Sequence, residues 1–209
     1  QLEAIPTGGS GSYTYSWTSV PEGFTSDVSD PTVIPTENTE YFVSVNDGLI
    51  TLDASVSVTV YPLPIVDLGG DQILCDETHH DLDAGNPGDT YLWSTGAISQ
   101  TIVATGSGVT MFWVEVTNTD GCSSNDTVYL NFASIPEVNL GADTAVCGDV
   151  SITLDAGNPG STYLWSNGLT SQTITADTLG IGYGVHNYSV EVTTEFDCVN
   201  SGDISIEFV

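Results

Sequence analysis

The sequence predicts an all-β protein, built as a tandem array of three small β-sandwich domains. Segments 82–102 (LDAGNPGDTYLWSTGAISQTI) and 154–174 (LDAGNPGSTYLWSNGLTSQTI) are nearly identical. This repeat period of about 72 residues is long enough for each copy to have its own core. Apolar and polar residues alternate with period two in short runs, and no stretch shows a sustained helical period. We therefore predict domains at 1–61 (the N-terminal domain), 65–133 (the first repeat) and 137–209 (the second repeat).

The N-terminal domain contains three runs with strand-like alternation, at Tyr13–Trp17, Tyr41–Val45 and Val56–Val60. Period two predicts strands with one buried face. Its opening segment, Leu2–Ile5, matches the strand that begins each duplicated motif. We therefore expect the first edge strand of this domain to lie upstream of Gln1.

Turn residues separate the predicted strands of the two repeats. Asn86-Pro87-Gly88 and Asn158-Pro159-Gly160 predict turns at the same place in each copy. Proline also occurs between the domains, in Tyr61–Pro64 and in Ser134–Pro136. Short proline-containing linkers are semi-rigid, which predicts a rod-like array.

Three tryptophans occupy the same predicted early strand of the three domains: Trp17, Trp93 and Trp165. A tryptophan on a central strand, packed under the facing sheet, is typical of immunoglobulin-like (Ig-like) sandwiches, so we predict that all three are core residues. Trp113 points to the opposite face from its neighbours by alternation. It lies either at a domain junction or on the surface, and it is the best candidate for an exposed contact residue.

Four cysteines occur, two in each repeat: Cys75, Cys122, Cys147 and Cys198. Of the three ways to pair them, only Cys75 with Cys122 and Cys147 with Cys198 repeat with the module. Zinc sites use more closely spaced ligand pairs. We therefore predict two disulfides within the repeats, each closing a loop of about 50 residues, and an oxidising, extracytoplasmic setting.

The charge balance excludes whole classes of partner. The chain has no Lys or Arg against 28 Asp and Glu, a formal net charge of -28. Nucleic acids and anionic membrane surfaces are bound mainly through Lys and Arg, so neither is an expected partner. No apolar run reaches the length of a membrane span, so direct membrane insertion is not expected.

No pattern of catalytic residues stands out. Nucleophile, zinc-hydrolase and phosphate-loop motifs are absent, and the acidic pair Asp81 and Asp83 is more typical of a strand surface than of a glycosidase. We predict that the chain is not an enzyme. His79 and His80 are expected in a surface loop rather than at a metal site.

Calcium is the one metal that the composition suits, because hard cations take oxygen ligands. The candidate ligands are Asp67 with Asp71 in the first repeat, and Asn139 with Asp143 in the second. They lie near the predicted domain junctions, where an ion would stiffen a rod. No contiguous calcium-loop motif is present, so the metal content stays open and no other cofactor is expected.

The repeated motifs resemble those of a known group of surface proteins. The order is L-G-x-D and a Cys, then L-D-A-G-N-P-G-x-T-Y-L-W-S, then V-x-V-T and a Cys. This order is similar to repeats of the giant cell-surface proteins of Bacteroidetes, the SprB-like gliding-motility adhesins exported by type IX secretion. The N-terminal domain, with G-G-S-G-S-Y-T-Y-S-W, is similar to their PKD-like modules. It lacks the W-x-F-G-D-G of PKD modules proper.

The resemblance implies an extracellular stalk segment of an adhesin anchored in the bacterial outer membrane, with adhesion or gliding motility as the task of the whole. Its expected partners are polysaccharide, surface components or neighbouring repeats of the same chain. Two alternatives stay open. One is a carbohydrate-binding module that uses Trp113 and the enlarged loop 178–187. The other is an accessory region of a secreted hydrolase.

The resemblance also implies sites for covalent sugar. Such proteins carry O-glycans where Asp precedes Ser or Thr and a small or apolar residue, a pattern found at Thr127, Thr144 and Thr178. An occupied Thr has to face solvent. We expect Thr144 and Thr178, as loop positions, to satisfy this more readily than Thr127 on a strand.

Overall fold

A computed structural model describes residues 1–9 and 11–209. The chain divides into two compact units, Gln1–Leu63 (unit 1) and Pro64–Val209 (unit 2). The predicted all-β fold class of tandem Ig-like β-sandwiches is confirmed. Unit 2 contains both repeats, so the finer division into three domains stays a prediction. None of the described residues forms a helix long and apolar enough to cross a membrane.

Unit 1 contains a four-stranded sheet in the order β2-β1-β3-β4. Its strands are β1 (Thr14–Val20), β2 (Thr25–Ser26), β3 (Thr39–Asn46) and β4 (Thr51–Val58). The segment around Leu2 and Ala4 pairs separately with a second segment, through Leu2 N–H to Pro31 O at 2.9 Å and Ala4 N–H to Ser29 O at 2.8 Å. The core of this unit contains four buried side chains, Leu2, Trp17, Tyr41 and Val43.

Unit 2 contains twelve strands and one short helix. The strands of the first repeat are β5 (Gln72–Cys75), β6 (His79–Asp83), β7 (Thr90–Trp93), β8 (Thr101–Thr105), β9 (Gly108–Thr117) and β10 (Ser123–Ala133). The elements of the second repeat are β11 (Thr144–Val146), β12 (Ser151–Asp155), β13 (Thr162–Trp165), β14 (Thr173–Asp177), α1 (Thr178–Ile181), β15 (Gly184–Thr193) and β16 (Val199–Phe208).

Both repeats have the same topology. One sheet has the order β5-β10-β9-β7 in the first repeat and β11-β16-β15-β13 in the second, and a two-stranded sheet, β6-β8 or β12-β14, completes each repeat. Neighbouring strands are antiparallel except that β5 runs parallel to the end of β10, and β11 parallel to the end of β16. The first strand of each repeat therefore ends at the same end of the sandwich as its last strand.

Each repeat has a separate hydrophobic core. Alternating residues of β9 point inward, so that Phe112, Val114 and Val116 are buried while their neighbours are more exposed. The aligned Tyr188, Val190 and Val192 of β15 do the same in the second repeat. This is the period-two pattern that the sequence shows.

Three local expectations are wrong. His79 and His80 lie in β6 and not in a loop, because they continue the alternation that buries Leu82. Thr144 begins β11 rather than lying in a loop. The enlarged loop at 178–187 is partly ordered into α1 and the first residues of β15, with Asp177 Oδ1 capping α1 by accepting from Leu179 N–H.

Candidate functional site: the junction between the two repeats

The second residue of the duplicated motif is an aspartate whose carboxylate stabilises the turn that follows it. Asp83 Oδ1 accepts hydrogen bonds from Gly85 N–H at 2.8 Å and from Gln100 Nε2 at 2.9 Å. Asp155 makes the equivalent bonds in the second repeat, with Gln172 as the side-chain donor. These bonds lower the pKa of both carboxyl groups, the glutamine contributing most and the glycine N–H next. Both acids have a structural role in the turn.

The asparagine of the same motif connects the turn to the first residue of its own repeat. Asn158 has a φ of 51°, and its Nδ2 donates to Glu137 O at 2.8 Å and to Ala156 O at 2.9 Å. Asn86 has a φ of 50° and donates to Ile65 O at 2.7 Å. Asparagine tolerates this left-handed backbone better than most residues. The first residue of each repeat is therefore hydrogen-bonded to the duplicated motif of that repeat.

Two further side chains stabilise this region, one at the turn and one at the linker between the repeats. Tyr163 Oη donates to Gly157 O at 2.9 Å and to Asn158 O at 2.7 Å, which fixes the turn that carries Asn158. Asn200 Nδ2 donates to Pro136 O at 2.9 Å. The linker that leaves the first repeat is thus hydrogen-bonded to the second, consistent with the semi-rigid connection expected from its proline.

A disulfide crosses the same junction. It joins Cys75 of the first repeat to Cys198 of the second, with Cα atoms 5.6 Å apart and a sequence separation of 123. Cys198 is fully buried and Cys75 is half-buried. In the chain-entropy model, closing a loop of this length stabilises the fold by about 5 kcal/mol.

The predicted pairing within repeats, Cys75 with Cys122 and Cys147 with Cys198, is therefore wrong; Cys122 and Cys147 are thiols. The reason is the parallel pairing of first and last strands. Cys75 lies beside Ala133 at the end of β10, whereas Cys122 precedes the start of that strand. A strand of 11 residues separates the two ends by about 36 Å, which no disulfide spans.

A cleft of about 490 Å³ lies at the junction. Residues of both repeats line it, among them Asn131, Phe132 and Ala133 on one side and Thr194, Glu195 and Phe196 on the other. Asn131 is 7% exposed, and within the described chain its Oδ1 is a buried side-chain oxygen with no hydrogen-bond partner. No sequence pattern predicted this surface as a site. The one signal in the sequence was the pair of cysteines in each repeat, whose partners were assigned wrongly.

The tryptophans divide into two groups. Trp17, Trp93 and Trp165 are 3%, 1% and 2% exposed, and each indole N–H donates to a backbone carbonyl at 2.7 to 2.9 Å. Trp113 on β9 is half-buried. The second repeat has Ser189 at that position, where a hollow of about 340 Å³ opens.

The candidate glycan sites differ in exposure. Thr127 on β10 and Thr144 on β11 are exposed. Thr178 is half-buried, and its hydroxyl donates to Asp149 at 3.2 Å. The expected order of accessibility therefore does not hold for Thr127, because β10 directs this residue outward. Glycosylation itself stays a prediction.

The candidate calcium ligands are engaged by backbone N–H groups. Asp67 and Asn139 each accept from a glycine N–H two residues later, at 2.8 and 2.9 Å. Asp71 accepts from β10 and Asp143 from β16, at 2.9 and 2.8 Å. Across residues 1–9 and 11–209, no three His, Cys, Asp or Glu side chains form a group suited to a metal.

Unit 1 carries a groove that no sequence pattern predicted. Its volume is about 630 Å³, and it lies between the segment around Ile5 and the exposed strand β4. Ile50 and Leu52 in its wall are 62% and 71% exposed. β4 forms the edge of its sheet, whereas the corresponding strand of each repeat pairs with a parallel strand.

Comparison with known proteins gives structural similarities only. No protein-family model and no curated protein matches the chain. Extracellular domains 3–5 of Drosophila OTK are 10% identical, over 94% of this chain and 85% of that one, with a TM-score of 0.48. The insect immune protein hemolin is 13% identical, over 94% and 67%, with a TM-score of 0.43. The Bacteroides ovatus glucan-locus protein SGBP-B, solved with a mixed-linkage heptasaccharide, is 14% identical, over 94% and 61%, with a TM-score of 0.23.

Proposed function

We propose that the chain is a structural segment of an extracellular surface protein, in which successive repeats are fastened end to end and hold a more distal part away from the cell. The observation that carries this proposal is the disulfide from Cys75 to Cys198, which joins one repeat to the next rather than closing either repeat on itself. A bridge at this place restrains the angle between domains. Such bonds persist in oxidising compartments, which supports an extracytoplasmic location.

The hydrogen bonds at the linker support the same role. Asn200 holds the last linker residue, Pro136, and Asn158 holds the first residue of the second repeat, Glu137, each by its carbonyl oxygen. Inter-domain interfaces without such restraints allow relative motion by default. A segment that holds a distal part in place, or that transmits force to it, requires that this relative motion be restricted.

The finer assignment rests on the resemblance of the repeated motifs. By that resemblance the parent protein is an outer-membrane-anchored adhesin of the SprB-like group, exported by type IX secretion, with adhesion or gliding motility as its task. The formal net charge of -28 suits such a surface, because it keeps the molecule soluble and disfavours association with like-charged chains. Its partners would then be polysaccharide, other surface components or neighbouring repeats.

A distance measurement across unit 2 tests the restraint. Spin labels on unnatural amino acids at Asp120 and Glu207 report on its two ends, because these exposed residues lie far from the junction at the ends of β9 and β16. We expect a narrow distance distribution in the oxidised protein and a broader one in Cys75→Ser. Cys147→Ser is the matched control and should leave the distribution narrow. A broad distribution in the oxidised wild type would contradict the proposal.

A further inference from the structure

The far end of the second repeat is built like the end of the first repeat that forms the junction. Gly148 N–H donates to Val209 O at 2.8 Å, as Asp76 N–H donates to Ala133 O at 2.8 Å. Asp76 and Gly148 both have a left-handed backbone, with φ of 59° and 80°. Cys147 immediately precedes Gly148, so it occupies the position that Cys75 has beside the junction.

The two equivalent ends differ in the state of the cysteine. Cys75 is half-buried in its bridge, whereas the Cys147 thiol is exposed. The second repeat therefore carries an exposed thiol at the position where the first repeat carries a bridged cysteine.

The position of Cys198, the other cysteine of the bridge, is also repeated. Cys198 lies in the loop between β15 and β16, where Thr194 N–H donates to its carbonyl at 2.9 Å and Thr194 Oγ1 accepts from its N–H at 3.2 Å. Asn118 holds Cys122 in the same way, at 3.0 and 2.9 Å. Each repeat thus has a cysteine position at either end. One is the position of Cys75 and Cys147, and the other is the position of Cys122 and Cys198.

We propose that Cys147 forms a second disulfide between repeats, with the cysteine at the Cys198 position of another repeat of the same type. This inference rests on the proposed function, and it identifies the partner that would join the second repeat as another repeat of the same type. Its basis is the bridge that the equivalent cysteine, Cys75, already makes. The array would then be held by one disulfide at every junction between two such repeats.

The bond forms by thiol–disulfide exchange with a small-molecule disulfide such as oxidised glutathione. The Cys147 thiol loses its proton, and the thiolate attacks one glutathione sulfur and expels the first glutathione as a thiolate. The thiolate of the partner cysteine then attacks the Cys147 sulfur and expels the second glutathione. Two protein thiols are oxidised, one glutathione disulfide is reduced, and two protons are released.

An extended chain tests the proposal. A second copy of residues 134–209 is added after Val209, so that Val209 is followed by the same linker as Ala133. The protein is oxidised in a glutathione buffer and digested with pepsin at low pH, where disulfides do not exchange. Trypsin is unsuitable because the chain has no Lys or Arg. We expect mass spectrometry to find Cys147 linked to the Cys198 position of the added copy, as completely as Cys75 is linked to Cys198.

Two variants of the extended chain serve as controls. Cys147→Ser should abolish the new linkage and leave the Cys75–Cys198 linkage in place, whereas Cys122→Ser should leave both. Recovery of Cys147 as a thiol, as a glutathione adduct or bound to any other cysteine, while Cys75 remains linked to Cys198, would overturn this inference alone. Absence of both linkages would overturn the proposed function as well.

Discussion

Asp83 and Asp155 show how a chain without Lys or Arg uses its acidic side chains. Both residues are exposed, yet each carboxylate is held by a glutamine side chain and a glycine N–H. The pKa is lowered in the folded state, so the bonds stabilise the fold above the ordinary aspartate pKa of about 3.9. That contribution is lost as the pH falls through the folded-state value.

We predict that the side-chain carboxyl carbons of Asp83 and Asp155 titrate below the ordinary aspartate range in an NMR experiment. Gln100→Ala should raise the pKa of Asp83 toward that range, because it removes the largest cause of the shift, and should leave Asp155 unchanged. Gln172→Ala should have the opposite selectivity. An Asp83 pKa that does not respond to Gln100→Ala would contradict this account.

Asn158 combines an uncommon backbone conformation with two hydrogen bonds to carbonyl oxygens. We predict that Asn158→Ala lowers the free energy of unfolding of unit 2 by about 2–3 kcal/mol, from left-handed strain and two lost hydrogen bonds. Asn158→Gly should cost about 1 kcal/mol less, because glycine keeps the φ of 51° without strain. Urea denaturation measures both, and equal losses for Ala and Gly would show that the backbone conformation is not strained.

At this scale the sequence predicted the type of residue better than its partner. The Asn-Pro-Gly turns follow from composition, and the place of a tryptophan on the same early strand of each domain identified Trp17, Trp93 and Trp165 as core residues. The bond from Asn158 to Glu137 spans 21 residues, and no local pattern indicates it. It depends on how the linker enters the sandwich, which only the assembled fold determines.

The strands determine where each cysteine lies. Sequence shows that the cysteines recur with the repeat, and it does not show that β5 runs parallel to the end of β10. With that pairing, Cys75 and Cys122 lie at opposite ends of one sandwich. The repeated spacing that favoured a bridge within each repeat is equally compatible with a bridge from one repeat to the next, and only strand direction distinguishes the two.

We predict that Cys75→Ser and Cys147→Ser have very different effects on stability. Loss of the bridge at Cys75 should lower the free energy of unfolding of unit 2 by about 2–5 kcal/mol, since a closed loop of 123 residues is released. Cys147 is exposed, and its replacement should change stability by less than about 0.5 kcal/mol. Guanidinium denaturation under oxidising conditions measures both variants, and comparable losses for the two would contradict the observed pairing.

The bridge also determines which parts of unit 2 a pulling force reaches. Cys75 ends β5, near the start of the unit, and Cys198 immediately precedes β16, its last strand. A load applied between Pro64 and Val209 passes from β5 through the sulfur atoms into β16. The residues between the two cysteines cannot be extended while the bond is intact. With the bond intact, unfolding of unit 2 therefore releases only the residues that lie outside the two cysteines.

Single-molecule stretching of unit 2 between its two ends tests this account most directly. Reduction of the bridge should lengthen the fully unfolded unit by the 123 residues that the disulfide closes, about 420 Å at roughly 3.4 Å per residue. Cys75→Ser should show the longer length without reduction, and Cys147→Ser should behave as the wild type. A gain of about 330 Å, the value for two bridges within repeats that each close about 50 residues, would contradict a bridge across the junction. So would equal lengths before and after reduction.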